Sequence, residues 1–194
     1  MLLSVLPCSQ VVRQWTLTPS LVSSNLTRAT IYLYLCGDCM KKIIDKLIEL
    51  NKTISTMESC TGGAIVNEIT NIEGASEVLK YSAVTYSNEF KIKMGVDESL
   101  IKKYSVYSVE VAKDMSKVIS YYTLSDYGVG ITGKLNRYDK NNLYGDDNIV
   151  YVSIYDRNED IYYTEKILVT DIDREKNKEI VVNKVESMLL EIIK

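Results

Sequence analysis

The chain has 194 residues, 46% hydrophobic and 25% charged, with a net charge of -3. That is enough for a sizeable core in one domain, and the charge leaves no basic footprint for nucleic acid. There is no histidine at all. This excludes Ser-His-Asp and Cys-His mechanisms and every imidazole metal ligand, so acid/base work must fall to Lys, Tyr, Asp, Glu or Cys.

Residues 1–39 differ in composition from the rest. They hold both prolines, the only Trp and three of the four cysteines, with no Lys or Glu and the single acid Asp38. We read this lead as disordered or as a mis-assigned start, with Met40 beginning a domain over 40–194. A targeting segment is the competing reading, faintly supported by Arg and Ser/Thr content. No apolar run reaches membrane-spanning length. Cys36-Gly-Asp-Cys39 has CxxC spacing, but one such pair is weak grounds for metal or redox chemistry. If the chain starts at Met40, Cys60 is its lone cysteine, which suits a reducing cytoplasm.

From Met40 onward the apolar spacing is regular. Ile43, Ile44, Leu47 and Ile48 predict a helix over 41–50, and "TISTMES" (53–59) alternates as a strand. "TGGAIVNEITN" (61–71) reads as a helix with Ile65, Val66 and Ile69 on one face. "VLKYSAVTYS" (78–87) is a strand. Asn88 is the expected N-cap of "EFKIKMG", and Gly95 its stop. A short helix follows over 97–104, capped by Asp97, and a longer one over 108–123, opened by Ser108. "YGVGITG" (127–133) is a buried strand, and 134–148 a polar loop. Strands 149–156 and 161–169 form a hairpin around "RNED", and a helix over 173–194 closes the chain. The alternation predicts an α/β fold, a three-layer α/β/α sandwich around a mixed, mostly parallel sheet.

The joint "ESCTGG" (58–63) has three readings. Gly62 and Gly63 before a helix start would suit a phosphate, though neither phosphate-loop pattern is present. Ser59, at a strand end before a helix N-terminus, is placed as a nucleophile, with a lysine as its base for want of histidine. Cys60 is the rival nucleophile, since a thiolate is favoured at a helix N-terminus. The third reading is a plain glycine-rich connection. "TYSNEFK" (85–91) places Tyr86 and Lys91 on the same rim of the sheet as Ser59, where α/β folds bind ligands.

These segments, with "GAS", "YSVEVAKDMS" and "VGITG", resemble the CinA C-terminal domain family over residues 41–133, and more loosely to 194. The resemblance implies a nicotinamide-nucleotide amidase. Such an enzyme hydrolyses the carboxamide of nicotinamide mononucleotide to nicotinate mononucleotide and ammonia, in pyridine-nucleotide salvage, without metal or cofactor. It implies Ser59 as nucleophile, Lys91 as base and Tyr86 as proton-transfer assistant. Thr61, Gly62, Gly63, Asn88, Thr132 and Gly133 would be substrate-binding. It also implies a small-molecule nucleotide partner, no membrane, a cytoplasmic location and, as in many members, a homodimer. Two features depart from the family. The usual glycine-rich loop after the TG is replaced by "KLNRYDKNNLYGDDN" (134–148). Lys134 and Arg137 are either solvated loop charges or substitutes for lost phosphate contacts. A 39-residue lead is also too short for the N-terminal domain that many members carry. The alternative function is a catalytically inactive member that binds a nucleotide or a protein.

Overall fold

The computed structural model describes residues 39–194; residues 1–38, with most of the off-composition lead and Cys36 of the CxxC pair, lie outside them. Helix α1 (residues 39–49) buries Ile43, Ile44 and Leu47, with Ile48 partly covered. Strand β1 (Ile54–Glu58) is buried along its whole length. Helix α2 (Ala64–Thr70) turns Ile65 and Ile69 inward. A short helix, α3 (Ala75–Val78), is the one element that the apolar pattern did not mark. It is a single turn, too short for a period to register.

Strand β2 (Leu79–Val84) leads to helix α4 (Asn88–Lys93). Its N-cap is Ser87, whose hydroxyl accepts from the Phe90 N–H; Asn88 is the first helical residue, which corrects the predicted cap by one position. Gly95, at φ 106°, takes the left-handed conformation just after α4, as a helix stop does. Asp97 and Ser108 cap helices α5 (Glu98–Tyr104) and α6 (Val109–Thr123) with their own side chains, as predicted. Strand β3 (Tyr127–Gly133) is fully buried. The hairpin of β4 (Ile149–Asp156) and β5 (Ile161–Leu168) precedes helix α7 (Arg174–Ile192).

The sheet order is β2-β1-β3-β4-β5. β1 pairs in parallel with β2 and β3, while β4 is antiparallel to both β3 and β5, so β4 alone runs against the rest. One apolar layer joins α1, α2 and α7 to the sheet; a second, built on Met57, Val111, Met115 and Ile119, seats α6 on the opposite face. This is the three-layer α/β/α arrangement. Among the described residues no helix is long and apolar enough to cross a membrane.

Strand β3 shows how closely the second layer sits. Its side chains alternate, so Val129 and Ile131 join the first apolar layer while Gly128 and Gly130 face α6. A Cβ on Gly130 would lie 2.3 Å from the Ala112 carbonyl oxygen and 2.6 Å from the Ser116 nitrogen. These are backbone atoms, so relief requires moving the helix. Gly130→Ala is therefore expected to cost about 2–3 kcal/mol, read as a lower midpoint in urea unfolding. A midpoint equal to wild type would mean that α6 is not held this close in solution.

Parallel pairing brings the ends of β1, β2 and β3 to one rim. Glu58 pairs with Val84, so the residues that follow them, Ser59 and Thr85-Tyr86, leave the sheet together. Gly133 leaves on the same side.

Candidate active site

Ser59 comes one residue after β1, and Lys91 one turn into α4. The Lys91 Nζ donates to Ser59 Oγ at 3.0 Å and to the Thr85 carbonyl at 2.7 Å. Lys91 is only 1% exposed and makes no ion pair among the described residues. Burial without a counter-charge disfavours the ammonium, and the pKa of Lys91 is pulled down from 10.5 to about 8. At neutral pH about a tenth of the molecules then carry a free amine beside the serine hydroxyl. Ser59 itself is 5% exposed and reaches the surface through a cleft.

Glu58 has a role that the sequence reading did not assign. Its carboxylate is fully buried under α2 and accepts from the backbone N–H groups of Gly63 at 3.0 Å, Ile65 at 3.2 Å and Val66 at 2.9 Å. Gly63, at φ 95°, is the N-cap of α2 and has no side chain with which to do this. The helix N-terminus is thus occupied by the protein's own anion, and a phosphate cradle at Gly62 and Gly63 is corrected. An acid closing an otherwise uncharged buried strand was the available signal.

The cleft over Ser59 has a volume of about 740 Å³. One wall carries Ser59, Cys60, Tyr86, Ser87 and Asn88; Tyr107, Gly133, Lys134 and the loop residues 137–142 form another, with Arg174 from the start of α7. Of the residues expected to bind substrate, Asn88 and Gly133 line this cleft. Thr61, Gly62, Gly63 and Thr132 are not on the wall. The Thr132 hydroxyl is committed inward, donating to the Val106 carbonyl at 2.9 Å. Thr61 is fully buried, its hydroxyl without a hydrogen-bond partner among the described residues.

Tyr86 lines the cleft but forms no hydrogen bond to Ser59 or Lys91. It is 66% exposed, and its hydroxyl accepts from an Arg174 guanidinium nitrogen at 3.2 Å. Cys60 is buried, and burial pushes its thiol up to about 12, although Arg174 and Lys91 pull the other way. A protonated thiol is a poor nucleophile, which favours Ser59 over its neighbour.

The 134–148 loop is built from within. Lys134 is 4% exposed and donates to the Gly145 carbonyl at 2.8 Å and to Asp147 at 2.9 Å. It is neither a solvated loop charge nor free to meet a phosphate, which corrects both readings. Asp139 accepts from the Tyr107 hydroxyl at 2.5 Å and from the Asn142 amide at 2.8 Å. Asn142 in turn accepts from the Asn88 amide at 2.8 Å, tying the loop to the helix that carries Lys91. These hydrogen bonds hold the Asp139 carboxyl below the usual carboxylate range against partial burial, and burial with the Asp139 contact pushes the Tyr107 phenol up. Among the described residues no group of three or more Cys, Asp or Glu is placed to hold a metal ion.

The model of the CinA C-terminal domain matches residues 37–193. The chain belongs to the CinA C-terminal domain family. A CinA-like protein of Thermosipho melanesiensis is 33% identical over 147 residues, which is 73% of this chain and 36% of that protein. A CinA-like protein of Endomicrobium trichonymphae is 44% identical over 88 residues, 45% of this chain and 21% of its own length. The matched part thus spans between about a fifth and about a third of these longer CinA relatives. The crystal structure of the competence/damage inducible protein CihA from Agrobacterium tumefaciens superposes with a TM-score of 0.74 at 25% identity, covering 82% of this chain and 96% of that one. The CinA fold, the mixed sheet and the rim position of Ser59 and Lys91 thus rest on sequence and structure together. Glu58, Tyr107 and Arg174 are the residues around this CinA site that sequence reading missed. For Arg174 no local signal existed, because it arrives from 83 positions beyond Lys91 in the numbering.

Proposed function

We propose that this CinA-family chain is an amidohydrolase acting on the carboxamide of nicotinamide mononucleotide, in pyridine-nucleotide salvage. One observation carries the reading: a buried, charge-unpaired lysine within 3.0 Å of a serine hydroxyl that opens onto a cleft. A neutral Lys91 takes the Ser59 proton as Oγ attacks the amide carbon. The protonated Lys91 then delivers that proton to the amide nitrogen as the C–N bond breaks, and ammonia leaves an acyl ester on Ser59. Water attacks the ester, Lys91 accepts its proton and returns it to Ser59, and the carboxylate product departs. Tyr86, on the same wall, assists these transfers once its phenol turns from Arg174. The open cleft favours turnover over an inactive binding module, because the rewritten loop borders the space above Ser59 without filling it.

The test is ammonia release from nicotinamide mononucleotide by the purified chain, with Ser59→Ala as the control for contaminating amidases. Activity should need neutral Lys91. It should rise about tenfold per pH unit below about 8 and level off above, since deprotonation creates the base. A flat profile from about pH 6 to about pH 9 would remove Lys91 as the base. Release that persists in Ser59→Ala would remove Ser59.

A further inference from the structure

Two arginines face this cleft with no acidic partner among the described residues. Arg174 begins α7, and one of its guanidinium nitrogens donates to the Tyr86 hydroxyl at 3.2 Å, the other to the Lys134 carbonyl at 3.4 Å. Arg137 lies in the rewritten loop and donates to the Ile172 carbonyl, two residues before Arg174, and to the Asn136 carbonyl at 3.3 Å. The corner that carries both is joined by hydrogen bonds. The Asn136 amide donates to the Asp171 carbonyl at 3.1 Å, and the buried Asn177 amide to the same carbonyl at 2.9 Å. Loop and helix start are stitched together, so both guanidinium groups line the same cleft as Ser59.

The acids nearby are already committed. Asp173 caps α7 by accepting from the Glu175 N–H, and Asp171 accepts from the Asp173 N–H. Asp139, the one carboxylate on the cleft wall among the described residues, is held by Tyr107, Asn142 and the Asn141 N–H. With Lys140 and the Asp147-paired Lys134 also on the wall, the described lining carries four cations against that single tied carboxylate.

We propose that Arg137 and Arg174 form a clamp for the phosphate of a mononucleotide, holding its far end while the carboxamide lies at Ser59. The proposal rests on the amidase reading for what sits at Ser59, but not for the anion. The guanidinium fork matches two phosphate oxygens at once, and each such charge-assisted contact is worth more than a neutral one. The clamp also gives the rewritten loop a function. Its arginine supplies by side chain an anion contact at a distance from the α2 N-terminus, where Glu58 already takes the Gly63, Ile65 and Val66 N–H groups.

The experiment compares nicotinamide mononucleotide with nicotinamide riboside, which has the same carboxamide and no phosphate. Wild type should prefer the mononucleotide in kcat/KM. Arg137→Gln and Arg174→Gln should each lower that preference about 10–100-fold, mainly through KM. Arg137→Lys and Arg174→Lys, which keep charge and lose the fork, should fall between. Thermal unfolding identifies any variant that fails to fold, and the lysine variants then carry the comparison. A preference unchanged in folded variants at both positions overturns the clamp while leaving the amidase intact. If wild type hydrolyses neither compound, the amidase reading fails, and calorimetry with inorganic phosphate decides the clamp alone. Phosphate binding that both glutamine variants lose supports it; no binding to wild type overturns it.

Discussion

Lys91→Met should lower amide turnover by about a thousandfold or more without lowering the unfolding temperature. The two halves of this expectation have one cause. Lys91 is buried, and its pKa falls from 10.5 to about 8 because the ammonium is poorly solvated there. The unfolded chain therefore binds the proton more tightly than the folded one. Folding is penalised fully below about pH 8, and the penalty is relieved as pH rises toward 10.5. At neutral pH this cost is up to about 3 kcal/mol. Methionine fills a similar volume with no charge and removes it. Against that, the Thr85 carbonyl loses its donor, which costs about 1–3 kcal/mol. The sum is near zero or favourable, while the proposed base is gone. Ser59→Ala should be equally inactive, and the double variant no worse than either single one, because the two residues act as a unit. A Lys91→Met protein that keeps more than about a tenth of wild-type turnover would show that another group takes the serine proton.

Glu58→Ala should produce the largest loss of stability, about 3–4 kcal/mol. The substitution strips three backbone N–H groups of their acceptor in a place where the carboxylate is fully buried. Glu58→Gln retains the shape and one oxygen, but turns an NH₂ toward N–H groups, so it should lie between alanine and wild type. Denaturant midpoints measure both. Ser59 is the next residue, so turnover should fall in both variants even where they remain folded. Alanine within about 1 kcal/mol of wild type would mean that water satisfies these N–H groups.

The elements were largely legible because their signals are local. Ser108 and Asp97 each stand before an apolar period and cap it as expected. β3 reads as buried because nothing in "YGVGITG" is charged. Asn88 lost the cap to Ser87 because both types serve, and only backbone conformation decides between adjacent candidates. Ser59 and Lys91 were found because strand ends and first helical turns on one rim converge in any parallel sheet. The remainder depended on distant partners. Nothing near Lys134 announces that Gly145 and Asp147 fold back over it, and nothing near Tyr86 announces Arg174. Glu58 carried no assigned role in the sequence, because its Gly63, Ile65 and Val66 N–H partners meet it only once α2 has folded over it.

The internal lysine of the 134–148 loop has a consequence for how this protein can change. Lys134 and Asp147 pin the two ends of the loop to each other, and the Asn136 N–H reaches the Asp147 carbonyl at 2.7 Å. Gly133 and Val150 are paired in the ladder just behind them. The stem is therefore closed independently of the tip, where Tyr138, Leu143 and Tyr144 lie exposed. Residues in the tip can be exchanged, lengthened or shortened without altering the register of β3 on β4. Ligand preference can drift there while the Ser59–Lys91 pair is supported from β1 and α4, provided the Asn142 contact to Asn88 is kept. Such a loop behaves as a replaceable cartridge, and a graft between Lys134 and Asp147 is the natural way to retune this scaffold.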